Sequence, residues 1–165
     1  MPAFLPRVVL AAFALLSAGA AQASAADDTK DVTTLIAAYQ QAVTSHDGAR
    51  LAQMFMPDGT AWFSVLSERA WRQMKTAKPD LSKIRPGSVA SFVQMVSTNK
   101  SALDPEHSNL HTTSDGEVAA VTFDFRFLID GKEQNRGAES WQLIRTADGW
   151  RIVSIVFSST PASVR

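Results

Sequence analysis

The chain holds 165 residues, with 16 basic and 16 acidic side chains, 45% hydrophobic composition and no cysteine. That length suits one domain with its own core, and the hydrophobic content belongs to a folded chain rather than a disordered one. Zero formal net charge gives no electrostatic basis for binding nucleic acid or an anionic membrane, and the lack of cysteine excludes disulfides, thiolate metal sites, a cysteine nucleophile and a lipid-anchored lipoprotein terminus.

Residues 1–25 read as a cleaved secretory signal. Arg7 is followed by the apolar run Val8 to Leu16, and Ala21-Gln22-Ala23 and Ala23-Ser24-Ala25 both offer the small-x-small exit that signal peptidase accepts. The run is too short to span a bilayer and no stop-transfer charges follow it. The expected destination is a periplasm or the exterior, leaving residues 26–165 as a single domain.

Helical signals come first in that domain. Val32, Leu35, Ile36, Tyr39 and Ala42 or Val43 share one stripe behind Asp27 and Asp28, the spacing of a helix with one buried face. Asp47 is placed to cap a short second helix carrying Leu51, Met54 and Phe55. Pro57-Asp58-Gly59 is a turn, and Thr60 to Leu66 reads as a strand. Trp71 and Met74 fit a short helix, Lys78-Pro79-Asp80 and Arg85-Pro86-Gly87 read as loops, and Ser88 opens a helix with Val89, Phe92, Val93 and Val96 on one side. From about Leu110 onward everything is strand, punctuated by Asp115-Gly116, Asp130-Gly131 and Asp148-Gly149. Three Asp-Gly turns between apolar runs predict a four-stranded antiparallel meander, and helices followed by strands predict an α+β fold.

Two-residue loops fix register, so the pairings can be written down. Leu110 is expected opposite Val121, His107 opposite Asp124, Phe125 opposite Arg136, Phe123 opposite Ala138, Gln142 opposite Ile155 and Ser140 opposite Phe157. One sheet surface then collects Leu110, Val121, Phe123, Phe125, Phe127, Ile144, Val153, Ile155 and Phe157, with Ser140 and Gln142 among them. The other collects His107, Asn109, His111, Thr122, Asp124, Arg126, Glu139, Trp141, Ser154 and Ser158. The aromatic surface is the one the helices must cover; the mixed surface is expected to face water or a second copy, placing His107 and Asp124 outside any cleft.

Tyr39 through His46-Asp47, Leu51-Ala52-Gln53-Met54-Phe55, Pro57-Asp58-Gly59, Gly116-Glu117-Val118-Ala119 and Gly149-Trp150-Arg151-Ile152 follow one another in an order that resembles the nuclear-transport-factor-2-like (NTF2-like) superfamily, which includes SnoaL-like cyclases, ketosteroid isomerase and scytalone dehydratase. The resemblance implies a cone-shaped curved antiparallel sheet wrapping N-terminal helices around one apolar pocket, commonly in a homodimer. Aligned on Gln53-Met54-Phe55, Tyr39 falls where ketosteroid isomerase carries its oxyanion-hole tyrosine. Gln142 falls near the place of its protonated aspartic acid, and Phe63 replaces its proton-shuttling aspartate. Phe63 cannot move a proton, so that isomerase mechanism is not expected.

The leading expectation is an exported protein binding a small apolar molecule, without cofactor or metal, in a pocket lined by Tyr39, Phe55, Phe63, Phe92, Phe123, Phe125, Gln142, Ile155 and Phe157. The alternative is an isomerase, cyclase or dehydratase acting on a small carbonyl compound, with Tyr39 and Gln142 as polarising groups and Asp58 as the base. A third reading is a dimeric interaction module using the mixed sheet surface. A zinc site built from His107, His111, Asp124 and Glu139 is the weaker explanation of that cluster beside an exposed polar patch.

Overall fold

The computed structural model describes the backbone of residues 17–164 and the side chains of 31–164. Most of the expected leader therefore lies outside the described residues. Helix α1 spans Ser17–Thr44, beginning upstream of the Asp27-Asp28 pair, and buries Val32, Ile36, Tyr39, Ala42 and Val43. Asp47 accepts a hydrogen bond from the Arg50 amide at 2.9 Å and caps α2, Gly48–Ala52, as the spacing predicts. Strand β1 is Ala61–Leu66. Ser67 caps α3, Glu68–Ala77, and Ser88 caps α4, Val89–Thr98. Between these helices, Ile84–Pro86 forms a short strand β2 where the sequence suggests only loop; it pairs antiparallel with β1 at the sheet edge, the place where proline is tolerated.

The meander follows as β3 (Leu103–Ser114), β4 (Val118–Ile129), β5 (Lys132–Thr146) and β6 (Gly149–Pro161), with a closing 3-10 turn at Ala162–Val164. Sheet order is β2-β1-β6-β5-β4-β3, and β1 runs parallel to β6. The fold is the expected α+β cone: a six-stranded curved sheet packed on the N-terminal helices. Among the described residues no helix is long and apolar enough to cross a membrane.

Register is where structure and sequence part. Only Asp130-Gly131 is a two-residue turn with positive φ at both positions (49° and 70°). At the first hairpin Ser114 pairs with Ala119, and at the third Thr146 pairs with Gly149. Bulges then shift each ladder: on β3 between Ser108 and His111, where Asn109 takes φ 53°, on β5 at Gln134, opposite Phe127-Leu128, and on β6 at Val153, opposite Gln142-Leu143. Phe125 consequently pairs with Gly137 and His107, and Phe123 with Glu139. Val121 and Ile155 both pair with Trp141, while Gln142 meets Ser154.

A one-residue slip exchanges the two faces of a strand. His107, Glu139 and Trp141, expected outside, turn inward beside Phe123 and Phe125. Ser140 and Gln142, expected inside, turn outward, and Leu110 is 37% exposed rather than covered. The aromatic side of β4 nevertheless faces the helices, as its composition requires: Val121, Phe123 and Phe125 are buried. Trp141 is fully buried at the centre of the core, its ring edge-on to Tyr39 at 4.8 Å and to Phe123 at 5.2 Å. A smaller cluster of Leu66, Ala70 and Val164 lies under α3.

Candidate functional site

Between the helices and the inner sheet face lies a cavity of ≈ 380 Å³. Tyr39 reaches it from α1, Trp62 from β1, Phe92 and Met95 from α4, Pro105 and His107 from β3, Phe125 and Phe127 from β4, Asn135 and Glu139 from β5, and Phe157 from β6. The rings support one another. Tyr39 stacks on Phe92 at 6.1 Å, Phe92 lies 5.1 Å from Trp62, and Phe125 meets Phe157 edge-on at 5.6 Å. Gly87 donates its amide to the Trp62 carbonyl, and a Cβ on Gly87 would sit 2.5 Å from the Trp62 ring, so glycine sets where that indole stands.

Three titratable groups converge on this apolar space. Glu139 is held by the indole of Trp141, whose Nε1–H donates to Oε1 at 2.5 Å. Burial pushes the Glu139 carboxyl up to about 7, against the opposing pull of that indole bond. Burial likewise raises the Tyr39 hydroxyl well above its usual range, with the neighbouring Glu139 charge adding to the effect. Burial lowers His107 to about 4, outweighing the nearby Asp104. Its Nδ1 is buried without a hydrogen-bond partner, and its ring packs 4.4 Å from Phe123. At neutral pH the wall therefore presents an uncharged tyrosine, an uncharged histidine and a carboxyl near its midpoint. Among the described residues no lysine or arginine lines the cavity.

Of the residues expected to line a pocket, Tyr39, Phe92, Phe125 and Phe157 do so. Phe55, Phe123 and Ile155 are buried in the core behind the lining; Phe55 supports Tyr39 and Trp62 from 6.4 Å and 6.0 Å. Phe63 is 40% exposed on the outer face, because its neighbour Trp62 takes the inward position on β1. Gln142 is exposed for the reason given above, and Asp58 is exposed in its turn, so neither reaches the cavity. Sequence reasoning missed His107 and Glu139 as cavity residues. For β5 a signal existed: Trp141 and Leu143 alternate with Ser140 and Gln142, so the strand's own period-2 pattern points Trp141 inward. The hairpin count overrode it.

A larger groove of ≈ 730 Å³ lies alongside, lined by Glu106, Asp124, Arg126 and Arg136 among others. Arg126 pairs there with Glu106 at 3.4 Å and Glu133 at 3.2 Å, and Arg136 with Glu133 at 3.6 Å, so these charges already answer one another. His46, in the Ser45-His46-Asp47 junction, bonds the Val96 carbonyl at 2.9 Å, which ties α1 to α4. Among the described residues no cluster of three or more His, Cys, Asp or Glu is arranged to hold a metal ion.

A curved sheet closed over N-terminal helices around an aromatic cavity defines the NTF2-like, cystatin-like class of α+β proteins. Within it, this chain belongs to the SnoaL-like domain family, whose family model matches residues 32–163. No curated protein matches the chain. Solved structures do. An NTF2-like protein with a cystatin-like fold from Novosphingobium aromaticivorans superposes with a TM-score of 0.63 at 16% identity, covering 93% of this chain and 97% of the other. A proposed dehydratase of the NTF2-like family from Streptomyces avermitilis gives 0.60 at 18% identity, over 83% and 99%. An NTF2-like protein from Shewanella baltica gives 0.56 at 13% identity, over 83% and 97%. At such identities the likeness is one of fold.

Proposed function

We propose that this chain is an exported protein that binds a small, largely apolar molecule inside the cone. The cavity carries the reading: ≈ 380 Å³ walled mainly by aromatic rings, with a few polar groups converging from separate elements. Sites of that composition take up small molecules by burying apolar surface and use the polar groups to fix orientation. Export rests on the leader pattern of residues 1–25, which supports a destination in a periplasm or outside the cell. Isothermal titration against aromatic and alicyclic compounds of the cavity's size tests the reading. Binding is expected, and it is lost in Ser91→Trp, which fills the cavity from α4. A chain that binds none of them refutes it.

One observation favours a second reading, in which the same pocket moves a proton on a small carbonyl compound. Glu139 is held near neutrality in the cavity wall, as a general base requires, and Tyr39 stays protonated as a hydrogen-bond donor. Glu139 takes the place of Asp58 and Gln142 in that scheme. Deuterium uptake from D2O into enolisable ketones, followed by proton NMR, decides it: exchange no faster than with Glu139→Gln removes the reading.

The third expectation, a second copy of the chain as partner, now rests on the outer sheet face without Trp141. Phe63 and Val156 are neighbours there and each 40% exposed, with Ile84 55% exposed nearby. Sedimentation of Val156→Glu beside the parent chain tests it, since an unaltered profile excludes this face as the contact.

A further inference from the structure

We infer that the ligand of the aromatic cavity carries one positive charge, a protonated amine on an apolar body, seated with the ammonium against Glu139. The inference rests on the binding reading and narrows it to a ligand class. A carboxylate in an apolar wall is costly unless something compensates its charge. Trp141 supplies one hydrogen bond to Oε1 and no charge. Among the described residues no lysine, arginine or histidine lies in ion-pair contact with Glu139, and no lysine or arginine lines the cavity.

The rest of the wall discriminates in the same direction. Ring faces attract cations through their quadrupoles, and Tyr39, Trp62 and Phe92 form a continuous ring set in the wall of the same cavity, with Tyr39 the ring that feels the Glu139 charge. An anionic ligand would meet a carboxylate and no cation. The titratable groups facing Glu139 are Tyr39 from α1 and His107 from β3, and both are uncharged at neutral pH. β1, β4, β6 and α4 present Trp62, Phe125, Phe157 and Phe92. The ammonium would thus be the one positive charge in the cavity and Glu139 its one negative partner.

Titration of the full chain at pH 8 with 2-phenylethylammonium, 2-phenylethanol and 3-phenylpropanoate, three bodies differing in the charge at one end, tests the inference. The ammonium is expected to bind at least tenfold more tightly than the alcohol, with the carboxylate weakest. In Glu139→Gln the ammonium-to-alcohol ratio is expected to collapse to within threefold of one. A second measurement needs no variant. Between pH 8 and pH 6 the affinity of the parent chain for the ammonium falls roughly tenfold as Glu139 takes up a proton, while that for the alcohol stays level. An alcohol that binds as tightly as the ammonium, a ratio that survives Glu139→Gln in the folded variant, or an ammonium affinity independent of pH each overturns the inference and leaves the binding reading intact. Failure of all three compounds and of every neutral aromatic overturns both.

Discussion

The indole of Trp141 donates to the carboxylate of Glu139, two residues earlier on the same face of the same strand, at 2.5 Å. Trp141 is fully buried and Glu139 borders the cavity, so the core holds the site's acidic group by a direct bond. The relationship exists only because the pleat brings alternate residues to one side. It also couples stability to chemistry, since the bond that satisfies a buried N–H fixes the carboxylate as well.

Replacing Trp141 by Phe removes that donor while keeping an aromatic ring. The indole bond pulls the Glu139 carboxyl down, so its loss is expected to move the group above about 7. Carbon-13 NMR of the side-chain carboxyl across pH measures the change, and an unmoved midpoint contradicts the assignment. Stability should fall by about 1–3 kcal/mol, from the lost bond and the smaller ring.

The pH dependence of stability carries two opposed contributions. Glu139 is raised from 4.5 to about 7 on folding, so between those values the native state holds the extra proton and stability falls as pH rises. His107 is lowered from 6.5 to about 4, so between those values the unfolded state holds the extra proton and stability rises with pH. The two oppose each other over most of that range. Glu139→Gln is expected to unmask a Tm that climbs from pH 4 to 6.5, and His107→Phe a Tm that declines from pH 4.5 to 7. Each contribution is on the order of 3 kcal/mol at full extent. Parallel curves for the two variants contradict the burial of both groups.

Gly87→Val should disturb the cavity mouth. The added Cβ meets the Trp62 ring at 2.5 Å, within a backbone bonded to that same residue, so the indole has to move. Overpacking of this kind costs about 1–3 kcal/mol. A shifted tryptophan fluorescence maximum and weaker ligand binding are expected; unaltered emission and affinity would show that the ring is not held there.

At Gly137 the obstacle is backbone. A Cβ would collide with the Ser158 carbonyl and hydroxyl across the β5–β6 pair, and that hydroxyl accepts the Ala138 amide at 2.9 Å. Gly137→Ala must part the strands beside Phe125 and Glu139, and a loss of about 2–4 kcal/mol is expected, at the upper end for single substitutions. Denaturant unfolding measures it, and a loss below 0.5 kcal/mol would show that the strands yield without cost.

By itself the sequence determined the elements and their order. The stripe through Val32, Ile36 and Tyr39, the caps at Asp47 and Ser88, and the apolar alternation of Val121, Phe123 and Phe125 are local patterns, and local patterns answer to helical and strand periods of 3.6 and 2. Tyr39, Phe92, Phe125 and Phe157 reached the cavity because their elements needed only the right face. Tertiary structure decided which side of β3 and β5 looks inward. Bulges near Asn109, Phe127 and Gln142 each add a residue to one strand, and nothing in the turn sequences announces them. Because pleat alternation converts one extra residue into a change of face, those bulges brought His107 and Glu139 into the cavity and sent Gln142 out to water.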